Sequence, residues 1–303
     1  MSDTSNDLPP PSGAAEAQSG VVTRLSPLTR RLIAGNASPF TFTGTCSYIV
    51  GEGEVAIIDP GPADEAHLAT LLAAVDGERV SHIVVTHSHR DHAPGAAILK
   101  ARTGAPIVGA AAHAPRAGAA GGLDASHDLA YAPDVALADG ERLQGRGFTL
   151  ETLATPGHAA NHLCFSLLEE NALFSGDHVM AWSTSIVAPP DGSMADYMAS
   201  LEKLRGRPEA VYWPGHGGPV REPQRYVRAL AHHRRQREAA IVARLQAGDT
   251  EIPAIVARIY VGLAPALTRA AGLSTLAHLE DLVARGVAAS DRAPSLDARF
   301  RIA

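Results

Sequence analysis

A chain of 303 residues is longer than one hydrophobic core usually serves, so a large domain with a smaller companion is expected. Hydrophobic residues at 46% and charged residues at 19% are ordinary for a globular protein, and a formal charge of −6 excludes a general electrostatic attraction for nucleic acid. Cys46 and Cys164 stand far apart without a CxxC, which excludes a disulfide framework and a thiolate metal site and fits a reducing, cytoplasmic setting. No apolar run approaches the roughly 20 residues of a membrane span, and the first residues lack the basic flank and apolar stretch of a signal peptide. Residues 1–20, rich in Pro, Ser, Gly, Ala and acids, are expected to form a disordered tail.

In chain order, 48–50 and 55–58 read as two strands joined by the turn Gly51-Glu52-Gly53-Glu54. Leu68, Leu71, Leu72 and Val75 fall at i, i+3, i+4 and i+7, with Asp64 and Glu65 in the first turn, which predicts an amphipathic helix over 63–75. Residues 81–86 carry Ile83-Val84-Val85, the short apolar run of a strand buried on both faces. A helix over 96–101 and a strand at 107–108 follow, and then strands at 148–153, 162–168 and 172–175, the last two joined through Glu169-Glu170-Asn171. A helix is predicted over 194–204 and a strand over 210–213. Strands in two groups with accompanying helices predict an α/β architecture of two sheets. Beyond residue 222 helices dominate, over 224–246 and around Leu276, Leu279, Leu282 and Val283, with Gly286 ending the second and a small hairpin expected within 287–302. The expected domains are therefore 21–222 and 223–303.

Thr86-His87-Ser88-His89-Arg90-Asp91-His92 closes the predicted 81–86 strand, where a loop can turn several side chains inward. Imidazole and carboxylate donors suit zinc, and bonds of roughly 2.0 to 2.2 Å require them to converge on one point. A loop permits that at the HxHxDH spacing; one helix face does not. Three more donors sit on glycine turns after predicted strands: His158 in TPGH, Asp177 in SGD and His216 in WPGH. Any one alone fits a hydrogen-bonded turn. In this order with HxHxDH, they point to a metal site. His162, four positions after His158, is placed to orient a ligand from behind.

This order of residues resembles the metallo-beta-lactamase superfamily, and the resemblance implies an αββα sandwich with metals at one edge of the sheets. It also implies that His87, His89 and His158 hold one ion, Asp91, His92 and His216 the other, and that Asp177 bridges them. The stretches THSHRDH, TPGHAANH, FSGDH, YMASLEKL, VYWPGHG and HHRRQREAAI are similar to the beta-lactamase-like endoribonuclease branch, in which a winged-helix-like domain follows. Ser88, where an aromatic is common, and Ala93-Pro94 depart from that pattern, so substrate preference is not carried over.

Two divalent ions, expected to be Zn2+, would make hydroxide available from a shared water and polarise the bond attacked, with Asp177 fixing the pair and Asp91 placing the hydroxide. Such a site suits single-stranded RNA or a small ester, thioester or lactam, since each passes through an oxyanion. Oxygen chemistry at a single iron is a further alternative on this fold. Between 221 and 245, seven arginines face two glutamates. Arg90 in the metal loop and Arg234, Arg235 and Arg237 in this segment are the candidate substrate contacts, against the plainer reading of a solvated helix face.

Overall fold

The computed structural model describes residues 18–114 and 126–303, so the expected tail, apart from its last three residues, lies outside the described chain. Seven strands form the first sheet: β1 (Thr23–Arg24), β2 (Thr29–Ile33), β3 (Cys46–Glu52), β4 (Glu54–Ile58), β5 (Arg79–Val85), β6 (Ile107–Gly109) and β7 (Val135–Ala136), in that spatial order. Pairing is antiparallel as far as β4 and parallel beyond it, because α1 (Glu65–Ala74) and α2 (Gly95–Thr103) carry the chain back across one face. The second sheet contains β8 (Arg142–Gly145), β9 (Phe148–Ala154), β10 (Leu163–Leu167), β11 (Ala172–Gly176), β12 (Val211–Pro214) and β13 (Val220–Arg221). Its one crossover, from β11 to the parallel β12, runs through α3 (Met194–Arg205).

Strand alternation builds the layers. Tyr48, Val50, Ile58 and Val84 point from the first sheet towards Phe148, Leu150, Phe165 and Phe174 of the second, forming the core between the sheets. Their neighbours Ile49, Ile57, Ile83 and Val85 face the other way, against Leu68, Leu71 and Leu99 of the helices. Cys164, Leu173 and Tyr212 do the same on the second sheet, against Tyr197, Leu201, Val227 and Leu230. The result is the expected αββα sandwich.

After α4 (Pro223–Gln246) come α5 (Ile252–Ile259), α6 (Thr268–Ala284) and the hairpin β14 (Ala288–Ser290) with β15 (Phe300–Ile302). The hairpin falls where it was expected, whereas α5, the short edge strands β1, β7, β8 and β13, and β2 were not read from the sequence. The helix α4 serves two cores. Its first half buries Val227 and Leu230 in the sandwich, and its second half buries Ile241 and Leu245 with Ile255, Leu276, Leu279 and Phe300. The boundary expected at 222/223 thus falls at the start of a helix shared by both parts. Among the described residues no helix is long and apolar enough to cross a membrane.

Candidate metal centre and active site

The seven predicted donors lie at one edge of the two sheets. The loop after β5 brings His87, His89, Asp91 and His92; the turns after β9, β11 and β12 bring His158, Asp177 and His216. Backbone bonds tie these turns together: Leu163 N donates to Thr86 O across the sheets at 2.8 Å, and Gly215 N donates to Gly176 O at 2.8 Å. Two glycines are needed for the approach. A Cβ on Gly215 would lie 2.4 Å from Asp177 Oδ1, and one on Gly176, whose φ is +48°, would lie 2.5 Å from His162 Nε2.

The donor atoms form groups that could hold a metal ion: His87 with His89 and His158; Asp91 with His92 and His216; and Asp177 with His87 and His92. In the first group His87 Nε2 and His158 Nε2 lie 3.0 and 3.1 Å from His89 Nδ1. In the second, His92 Nε2 and His216 Nε2 lie 3.3 and 3.2 Å from Asp91 Oδ2. Asp177 sits between the groups, 3.5 Å from His92 through Oδ1, and 3.3 and 3.6 Å from His216 and His158 through Oδ2.

The outward nitrogens are engaged elsewhere, which fixes the tautomers. Asp59 Oδ2 bonds His92 Nδ1 at 2.8 Å and also accepts from the Thr86 hydroxyl, which in turn accepts from His87 Nδ1 at 2.9 Å. His158 Nδ1 donates to Ile186 O at 2.6 Å and His216 Nδ1 to Gly44 O at 3.3 Å. All four Nε2 atoms therefore point inward, while buried His92 Nε2 and Asp177 Oδ1 lack any hydrogen-bond partner. Imidazoles and carboxylates gathered this closely need positive charge between them, as protons or as metal ions, so the donor set fits metal ions.

Protonation equilibria agree. Burial, then the neighbouring imidazoles, keep His87 and His89 well below the usual histidine range, so both are neutral. Burial would raise Asp177 and Asp91, but the facing His216 and His92 outweigh it and hold both carboxyls well below their usual range. Burial likewise depresses His216, yet Asp177 and Asp91 draw it up to about 9. Cys164, by contrast, is pushed up to about 12 by burial, as befits a small core residue rather than a nucleophile.

His162 is buried behind the cluster, where its Nε2 accepts the backbone N–H of Asp177 at 3.1 Å and its Nδ1 bonds Thr155 Oγ1 at 2.9 Å. It fixes the turn that carries Asp177 rather than a ligand ring. His178 packs on Tyr197 with ring centroids 4.6 Å apart and belongs to none of the donor groups. Sequence reasoning missed Asp59, and also His127 and Asp191. His127 Nδ1 bonds Ser88 Oγ at 2.8 Å, and its Nε2 faces Asp191 Oδ2 at 3.2 Å. Together with His89 these two could also hold an ion, although both His127 nitrogens already have partners. Ser88, the departure noted above, is thereby explained: the small hydroxyl leaves room for the His127 ring and also accepts from Asn161 Nδ2 at 2.9 Å.

A cavity of about 740 Å³ opens from the cluster, bounded on one side by Phe40, Met180 and Trp182 and on the other by Tyr260, Leu263 and Leu267 of the C-terminal segment. Arg90 stands at its exposed rim, with its Nε donating to His127 O at 3.1 Å. The other predicted arginines do not act as one strip. Arg234 is buried, donating to Ser185 O and Ser274 Oγ; Arg237 is half-buried, its guanidinium 4.1 Å from the Tyr260 ring centroid; both line the cavity. Arg235 does not. It is exposed and outside the cavity, because one residue along a helix turns the side chain by about 100°.

The chain belongs to the metallo-beta-lactamase superfamily, which matches residues 40–216, and residues 252–295 match the beta-lactamase associated winged helix domain. It is similar to "Thioesterase pkgB" of Emericella nidulans, 32% identical over 72% of this chain and 59% of that protein. It is also similar to "Atrochrysone carboxyl ACP thioesterase AgnL7" of Paecilomyces divaricatus, 33% identical over 73% of this chain and 66% of that one. The chain thus spans less than two thirds of either relative's length. Among solved structures, a beta-lactamase domain protein from Burkholderia ambifaria shares the fold over the whole chain and 99% of its own, with a TM-score of 0.80 and 21% identity. A metallo-beta-lactamase family protein from Thermus thermophilus shares it over 92% of this chain and 100% of its own, with a TM-score of 0.74 and 24% identity. The superfamily and the winged helix of the expectation are thus shown, and the endoribonuclease branch is not.

Proposed function

We propose that the protein is a two-metal acyl hydrolase whose substrate is a small-molecule thioester, with His87, His89 and His158 at one ion, Asp91, His92 and His216 at the other, and Asp177 shared. The observation that carries this reading is the cavity: the donor cluster opens into a chamber of small-molecule size with largely apolar walls, of the kind that surrounds an acyl group. The thioesterase names of two relatives support the same choice. Single-stranded RNA calls instead for an open cationic groove with aromatic platforms. Arg234 is committed to the protein interior and Arg235 points away, so the basic helix supplies no such groove.

Two divalent ions, with zinc suited to the His-rich donors, would lower the pKa of water towards neutrality and polarise the thioester carbonyl. The residues do the rest. Asp177 reaches towards both donor groups and fixes their spacing, while Asp91, braced by the Thr45 hydroxyl at 3.2 Å, is placed to hold the attacking water's proton. Phe42 stacked on Trp182 at 4.9 Å closes one wall against bulk water. Asp91, His92 and His216 form a second complete donor group, which favours this reading over chemistry at a single iron.

Side-by-side assays on an acyl N-acetylcysteamine thioester, a single-stranded RNA oligonucleotide and a β-lactam test the proposal. Thioester turnover with RNA untouched is expected. RNA cleavage without thioester turnover would overturn it, as would metal analysis returning one iron and no second ion.

A further inference from the structure

At the C-terminal end of the cavity two guanidinium groups stand one helical turn apart without a carboxylate partner among the described residues. Arg234 is 3% exposed and donates only to Ser185 O and Ser274 Oγ, with its Nε unpartnered. Arg237 donates to Ile259 O at 3.3 Å and has its guanidinium carbon over the Tyr260 ring. Burying cations without counter-charge is costly, and proteins seldom accept it without use. Their positive field reaches a neighbouring imidazole. After burial itself, Arg234 and Arg237 are the main causes that hold the imidazole of His278 down at about 3. Arg234 has a structural duty, since Ser185, which it grips, bonds the carbonyls of Asp177 and His178 with its hydroxyl. Arg237 has none of comparable weight. Its fork is pre-oriented by Tyr260, faces the cavity and is less hydrated than an ammonium, which suits it to a carboxylate or phosphate.

We propose that Arg237, backed by the field of Arg234, is an anion-binding subsite, and that the preferred thioesters carry an anionic oxygen group remote from the scissile carbonyl. The apolar walls between metal cluster and Arg237 would then take the connecting chain. The inference rests on the thioesterase reading, yet it can fail separately.

Three substrates separate the two sources of the anion: a neutral acyl N-acetylcysteamine thioester, its counterpart ending in a carboxylate, and the neutral acyl group on phosphopantetheine. The readout is the ratio of kcat/KM for each charged substrate to the neutral one. The wild type is expected to favour one charged substrate at least about tenfold, and Arg237→Leu to lower that ratio by about tenfold or more. Arg237→Lys should retain part of the preference, and Tyr260→Leu should lower it in the same direction, which guards against misfolding of any one variant. The favoured substrate tells whether the anion belongs to the acyl group or the thiol arm. No preference in the wild type, or a ratio unchanged in Arg237→Leu, overturns the subsite while leaving the thioesterase. If no thioester is cleaved, the thioesterase reading falls. The subsite is then judged by calorimetric binding of octanedioate against octanoate, where equal affinities, or a preference that survives Arg237→Leu, overturn it.

Discussion

Asp59 Oδ2 lies 2.8 Å from Nδ1 of His92, a residue 33 positions later, and the same carboxylate receives both the backbone N–H and the hydroxyl of Thr86. One buried side chain thereby sets the ring orientation of His92 directly and that of His87 through Thr86. Asp59 adopts a φ of +49° to do this, a conformation Asp tolerates better than most residues.

Replacing Asp59 with Asn puts a donor where two donors already converge, so the His92 tautomer is no longer fixed. Ion affinity at that half of the site is expected to fall about 10- to 100-fold, the usual cost of losing an outer partner. Competitive chelator titration of the variant measures it, and unchanged affinity would show that Asp59 serves only its own turn.

Asp177→Asn removes the shared negative charge while keeping the shape of the side chain. Turnover should drop by at least about a hundredfold, whereas Tm should move by less than about 4 °C, the shift that about 1 kcal/mol produces in a domain of this size. Thermal melts and initial rates on one preparation separate the two effects. A variant with wild-type turnover would remove Asp177 from the centre.

Ion uptake should depend on pH over an unusually high window. His216 is raised to about 9 by the carboxylates it faces, so below that pH a proton occupies the nitrogen that an ion must take. His92 is likewise held well above the usual range, Asp91, Asp177 and Asp59 outweighing its burial, so affinity rises with pH through about 9 and weakens steadily below. Proton release accompanies binding at pH 7 and is read by calorimetry in buffers of different ionisation enthalpy. Uptake without proton release at pH 7 would contradict the assignment of His216.

Neither thiol should react in the native state, since burial raises Cys46 and takes Cys164 up to about 12. Iodoacetamide at pH 8 is expected to leave both unmodified by mass spectrometry and to leave activity intact. Rapid loss of activity with Cys164 labelled would point to a thiol mechanism instead.

The candidate donors that the fold gathers and the main elements were legible in the sequence because their physics is local. Several donors on one short loop suit coordination, glycine turns mark close backbone approach, and periods of 2 and 3.6 separate strand from helix; HxHxDH, the TPGH, SGD and WPGH turns, and the leucines of α1 all carry such signals. The partners of those donors carry none. Nothing near Asp59 announces Thr86 and His92, and nothing near Asp191 announces His127, because those contacts exist only once separate strands have been brought to one edge. The short strands β1, β7, β8 and β13 were invisible for a similar reason: two to four residues hold no period, and pairing with a neighbour defines them.

The arginines of α4 show where the division falls. Val227, Leu230, Ala231, Arg234, Ile241 and Leu245 share its buried stripe, so the 3.6-residue period already placed Arg234 inward, a signal lost when the arginines were grouped by charge alone. What the stripe packs against was beyond the sequence. The first half of α4 meets the sandwich and the second half the C-terminal core, and that docking turns Arg234 and Arg237 towards the cavity while leaving Arg235 in solvent. Periodicity fixes which side chains share a face; only tertiary packing decides what that face meets.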